Sequence, residues 1–188
     1  MRRVVFVACL VAVALPCGRA DAYRLEGGRW STRTIPYYTE TPAYAWSVDT
    51  AAYAWNSSGA QIRFVKSSRA NAKVLLGIRW YRHAGDAVVH RVGDRLVRAE
   101  VGIQTGHDRY EMALIVAHEL GHVLGLDHET TVCATMNPTV ADDHTTKCPA
   151  PARGMWTCRL LQTDDVRGAV SLYGGTVRPW RGSPFCSR

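Results

Sequence analysis

Two histidines four residues apart, His118 and His122, enclose Glu119 in the string HELGH. On a helix this step puts both imidazoles on one face, where two nitrogen donors can share one metal ion. Glu119 is displaced around the helix from that pair, so its carboxylate can address a water at the metal instead of the metal, as a general base must. Gly125 lets the backbone leave the helix in a sharp turn, and His128, three residues on, can return to the same ion. The whole H-E-x-x-H-x-x-G-x-x-H string arises by chance on the order of once in ten million start positions or rarer. We therefore read one catalytic Zn²⁺ held by His118, His122 and His128, with Glu119 as base. Two rival readings keep the zinc: an exported binding module without catalysis, against which the intact Glu119 argues, and a zinc hydrolase acting on something other than protein.

A helix must carry this string. Asp108 with Glu111 three residues on predicts a capping box that opens it at Arg109, and an apolar run over 112–117 continues to Leu124. Upstream, 30–38 reads as a strand placed at an edge by Pro36. Ser47 is expected to cap a helix over 48–55, where Val48, Ala51, Ala52 and Trp55 recur at helical spacing. Strands are predicted over 61–65, 73–80 and 98–103. The Gly-, His- and Asp-rich stretch 81–95 reads as a loop or short hairpin. Segment 127–163 lacks long periodicity, and 164–173 gives a last amphipathic helix closed by Gly174-Gly175.

The chain of 188 residues opens with Met1-Arg2-Arg3, an apolar run over 4–15 and the small-residue site Ala20-Asp21-Ala22. This is the pattern of an export signal over 1–22, too short in its apolar part to span a bilayer. Residues 23–188 are then expected to form a single secreted domain, monomeric and with no membrane attachment. Losing Arg2, Arg3, Arg19 and Asp21 takes the net charge from +7 to +5. No dense basic cluster interleaves with aromatics, so a nucleic-acid partner is not expected. Cys133, Cys148, Cys158 and Cys186 remain, an even four that suggests two disulfides in an exported chain, with three pairings open. We favour Cys133 with Cys148 and Cys158 with Cys186.

The extended zinc string resembles that of the metzincin metalloproteases, and Met136 in Ala134-Thr135-Met136-Asn137-Pro138 is similar to their Met-turn. Within that clan Gly121, Leu126, Pro138 and the pattern Leu161-x-x-Asp164-Asp165-x-x-Gly168-x-x-x-Leu172-Tyr173-Gly174 resemble the matrixin family. The resemblance implies an α+β zincin-like fold: a mixed twisted sheet, an active-site helix, and a C-terminal helix after the Met-turn. It implies an endopeptidase with protein or peptide substrates, and a Met136 that supports the histidines without ligating. A substrate strand is implied to pair antiparallel with an edge strand over 98–103 through Ala99, Glu100, Val101 and Gly102. Asn137, Pro138, Thr139 and Val140 are implied to wall the adjoining pocket. Cleavage after Ala22 would leave Tyr23 as an N-terminus whose ammonium pairs with Asp164 and Asp165; the alternative is that one of these aspartates only caps the last helix.

Three departures bear on these expectations. Glu129 stands where matrixins usually have Ser. Segment 81–95 lacks the spacing of the matrixin structural zinc site, because His83 and Asp86 are one residue too far apart, so His83, His90, His107 and His144 read as surface or loop histidines. No motif supports Ca²⁺. With cleavage after Ala22 nothing would remain to cover the zinc, and the enzyme would be born active.

Overall fold

The computed structural model describes residues 22–79, 83–138, 147–148 and 160–178. In chain order the elements are β1 (Arg24–Leu25), β2 (Arg29–Trp30), β3 (Thr34–Thr39), a 3₁₀ turn (Pro42–Tyr44), α1 (Ala45–Ser57), β4 (Arg63–Lys66), β5 (Val74–Ile78), β6 (Gly85–Val92), β7 (Arg95–Ile103), α2 (Arg109–Leu124), β8 (Leu126–Asp127) and α3 (Thr163–Tyr173).

The sheet runs β4-β3-β5-β7 in parallel, with β2 also parallel to β7 at Arg29↔Arg95 and Trp30↔Leu96. β6 folds back antiparallel on the other side of β7. A mixed sheet with helices against it is thus what the sequence led us to expect. β5 is an unbroken apolar run with Val74, Leu75 and Leu76 buried, as suits a strand paired on both sides and covered on both faces. α1 and α2 pack together beside the sheet, and two buried indoles fix the position of α2. The Trp55 N–H donates to the Ala117 carbonyl (2.9 Å) and the Trp30 N–H to the Val123 carbonyl (2.7 Å). Both bonds brace the helix at residues beside the zinc-string histidines.

Three local expectations change. α1 begins earlier than Ser47: Pro42 starts a 3₁₀ turn that feeds the helix, with Tyr44 at the N-cap. The Ser47 hydroxyl instead donates across to the Arg109 carbonyl (2.8 Å), tying α1 to the first residue of α2. Asp108 caps α2 by accepting from the Tyr110 and Glu111 amides (2.8 and 2.9 Å), but Glu111 meets the His107 Nδ1 (3.1 Å) instead of reaching back. Of the two alternatives for 81–95 the hairpin is found over its described part, where the eight-residue β6 turns through Gly93 into β7.

The third change bears on function. β7 is not an edge strand, because Ala99, Glu100, Val101 and Gly102 pair with β5 on one side and with β6 on the other. Both rows of β7 backbone hydrogen-bonding groups are thereby spent, and no further strand can add to it. Among the described residues β6 pairs only with β7, so the free edge on this side belongs to β6.

Cys133 and Cys148 form a disulfide, as favoured from the sequence. Cys158 and Cys186 lie outside the described residues.

Candidate metal centre and catalytic site

α2 carries His118, Glu119 and His122 on its last two turns and ends at Gly125, whose φ of 95° is left-handed backbone. Its amide donates back to the Gly121 and His122 carbonyls, closing the helix. A side chain there would be strained, and its Cβ would fall 2.9 Å from the Gly28 carbonyl oxygen. Released by this turn, the chain forms β8, pairs antiparallel with β1, and brings His128 back over the helix.

The Nε2 atoms of His118, His122 and His128 form an equilateral triangle, 3.2 Å on each side. Nitrogens about 2.0–2.1 Å from a tetrahedral zinc ion would stand about 3.3 Å apart, so this donor set fits Zn²⁺. The opposite ring nitrogens support that assignment. His118 Nδ1–H donates to the Thr135 carbonyl (2.7 Å) and His122 Nδ1–H to the Leu126 carbonyl (2.8 Å), which fixes tautomers with free Nε2 lone pairs. Burial, with His122 next, pulls the His118 pKa down to about 3, so this imidazole is neutral and ready to ligate. Burial likewise lowers His128. For His122, burial is outweighed by the hydrogen bond its Nδ1–H donates to Glu26 and by the charges of Glu119 and Glu26, and its pKa rises. Among the described residues these three histidines form the single cluster of metal-ligating side chains.

Glu119 is buried, and burial raises its carboxyl to about 7, with His122 opposing and Asp86 and Glu26 adding. Its side chain lies against β6 at Gly85: a Cβ there would meet the carboxylate oxygen at 2.5 Å. Gly85 therefore makes the room that the Glu119 carboxylate occupies, a close approach of the kind a glycine inside a strand marks.

Beneath the histidines lies Met136, fully buried. Its sulfur occupies the space a Cβ on Gly121 would need, 2.2 Å away. The Thr135 and Met136 amides both donate to the Asp165 carboxylate (2.8 and 3.0 Å). Asp165 on α3 thus holds the Met-turn, and the Thr135 carbonyl of that turn holds His118. Asp165 also accepts from the Gln162 amide (2.7 Å), closing the capping box of α3, and so is unavailable to an N-terminus. Asp164 alone faces the N-terminal segment. One oxygen accepts from the Ala22 amide (3.3 Å), while Oδ2 is buried without a hydrogen-bond partner among the described residues. Tyr23 packs over Gly168 on the same helix.

The expected pocket wall is partly in view. Asn137 is buried, and its side-chain N–H groups donate to the Glu129 and Val132 carbonyls (2.7 and 3.0 Å), so it organises the loop from within. Pro138 is half-buried, and Thr139 and Val140 lie outside the described residues. Glu129 caps its own turn by accepting from Thr131 and from the Val132 amide.

Replacement of Gly121 by alanine is expected to lower stability by about 1–3 kcal/mol, because the new methyl overpacks a sulfur held beneath the three converging histidines. A thermal melt of the variant checks this; an unchanged Tm would mean that the Met-turn yields freely.

The matrixin family model matches residues 43–174, and the chain belongs to the matrixin family. Its α+β architecture is that of the metzincin fold. The chain is 26% identical to stromelysin-3 of Homo sapiens over 86% of its length and 34% of that protein. It is 48% identical to stromelysin-1 of Equus caballus over 61 residues, 32% of this chain and 11% of that protein. With macrophage metalloelastase of Oryctolagus cuniculus it shares 42% identity over 64 residues, 33% of this chain and 11% of that protein. The chain thus spans about a third or less of the length of the curated relatives it matches.

Proposed function

We propose that this chain is an exported zinc-dependent endopeptidase in which His118, His122 and His128 hold the metal and Glu119 is the general base. The observation that carries the reading is the triangle of Nε2 atoms with a buried glutamate on the same helix. When bound, zinc polarises the scissile carbonyl and acidifies the attacking water. Glu119 takes that water's proton and later delivers it to the departing amine. Met136, whose sulfur fills the space left open at Gly121, supports the ligand helix from below. An extended substrate has the free edge of β6 for backbone pairing, with Gly85 near Glu119, which favours proteins over small esters or sugars as substrates. No helix among the described residues is long and apolar enough to cross a membrane. Casein hydrolysis should fall to background on zinc chelation and return on adding Zn²⁺. Zinc binding without hydrolysis of any protein would favour the non-catalytic module.

The same reading assigns Asp164 to the N-terminus of the mature protein. Cleavage after Ala22 would create an ammonium on Tyr23, whose backbone nitrogen already reaches Asp164, and the buried Asp164 Oδ2 has no hydrogen-bond partner among the described residues. Burial raises the Asp164 pKa, and a cation beside it would oppose that shift. One residue added before Tyr23 is expected to lower caseinolytic activity without removing zinc. Equal rates for extended and native forms would leave Asp164 a helix-end residue and nothing more.

A further inference from the structure

The N-terminal segment brings a carboxylate to the back of the metal centre. β1 pairs with β8 immediately before His128, the Glu26 amide donates to the Gly125 carbonyl (2.9 Å), and the chain then turns away through Gly27 and Gly28, both at positive φ. Held by this backbone, Glu26 places Oε1 2.9 Å from His122 Nδ1, the nitrogen opposite the one that faces the metal position. Its other oxygen, Oε2, accepts from Arg91 at 2.9 Å, and a second Arg91 N–H donates to the Glu26 carbonyl, also at 2.9 Å. Arg91 comes from β6, where the register with β7 shifts between His90 and Arg91, a feature that commonly re-aims a side chain. Every oxygen of Glu26 is engaged, and the chain Arg91–Glu26–His122 links the free strand edge to the metal centre.

We propose that Glu26 is a positioning residue for His122: by sharing the Nδ1–H with the Leu126 carbonyl it fixes the ring and makes Nε2 a stronger donor, with Arg91 holding the carboxylate in place. The proposal rests on the zinc reading above. A carbonyl alone can fix the tautomer, but a carboxylate adds negative charge that a dication on the far side of the ring feels, and such partners are worth about 10–100-fold in metal affinity. The metal centre is therefore incomplete without the segment around Glu26, although no ligand lies in it.

Competition against a chromogenic chelator gives the zinc Kd of the native protein, Glu26→Gln, Glu26→Ala, Arg91→Gln and the Glu26→Gln/Arg91→Gln pair. Both Glu26 variants should bind zinc about 10–100-fold more weakly, with alanine the weaker binder. Arg91→Gln should weaken binding in the native background and add nothing once Glu26 is Gln. The proton NMR signal of the His122 Nδ1–H in the zinc form should move in Glu26→Gln, a change that loss of general stability would not produce. A Kd within twofold of native for both Glu26 variants, with that signal in place, overturns the proposal. A native protein that takes up no zinc overturns the zinc reading itself, so the two failures are distinct.

Discussion

Glu119→Ala is expected to keep stoichiometric zinc and a native fold while losing at least about a hundredfold in peptide hydrolysis, because a general base contributes ~10² to 10⁴. Glu119 is not one of the three converging nitrogen donors, so truncating it removes no ligand. The fold should also tolerate the change. The carboxylate is buried against Gly85 and its ionised form is disfavoured there, so the alanine removes a desolvated group along with its packing. Of the other carboxylates whose charge reaches this site, Asp86 belongs to β6 and Glu26 is engaged by His122 and Arg91, so neither lies on the ligand helix. Zinc content by atomic absorption, a thermal melt and casein turnover on one preparation make the comparison. Full zinc with near-native turnover would remove Glu119 as the base.

The parts of this site that were legible in the sequence are those governed by short-range geometry. Three histidines within eleven residues, a helical step of four and a glycine that ends the helix suffice to predict that His118, His122 and His128 converge, and the left-handed Gly125 is what lets His128 return over the helix. Strand order is different, because pairing partners are set by contacts remote in sequence. Segment 98–103 has the stronger strand pattern, and that strength reflects burial between β5 and β6, the opposite of an edge. β6 hides its role behind Gly85, Asp86, His90 and Arg91, the polar and small residues that a solvent-facing edge tolerates.

Long-range hydrogen bonds leave no mark in the sequence for a related reason. Ser47 has the chemistry of a cap but spends its hydroxyl on Arg109, 62 residues away. Asp164 and Asp165 look like a pair in sequence, yet adjacent positions on a helix point about 100° apart, so one carboxylate turns to the Met-turn and the other to the N-terminal segment. Glu26 gives no signal, since it depends on a two-residue ladder between β1 and β8. A glycine within a strand-like stretch could have pointed to Gly85 as a place of close approach.

His128→Ala is expected to have the largest effect on metal content, and it is the cleanest of the three ligand substitutions. His118 is tied through Nδ1 to the Met-turn, and His122 sits in the helix with its ring bonded to Leu126 and Glu26, so replacing either disturbs structure as well as donors. His128 is only half-buried and follows the turn, so its ring can be removed with little repacking. Two imidazoles would remain where a zinc site of this kind needs three protein donors. Asp127 cannot take over, because its Oδ1 accepts from the His128 amide (2.7 Å) and its backbone is committed to β1. Glu26 approaches His122 from the Nδ1 side, away from the triangle of Nε2 atoms. The loss of affinity should therefore exceed the about 10–100-fold that removing an outer partner costs. After dialysis against metal-free buffer the variant should retain almost no zinc while its circular dichroism stays native; zinc content equal to that of the unsubstituted protein would show that another residue completes the site.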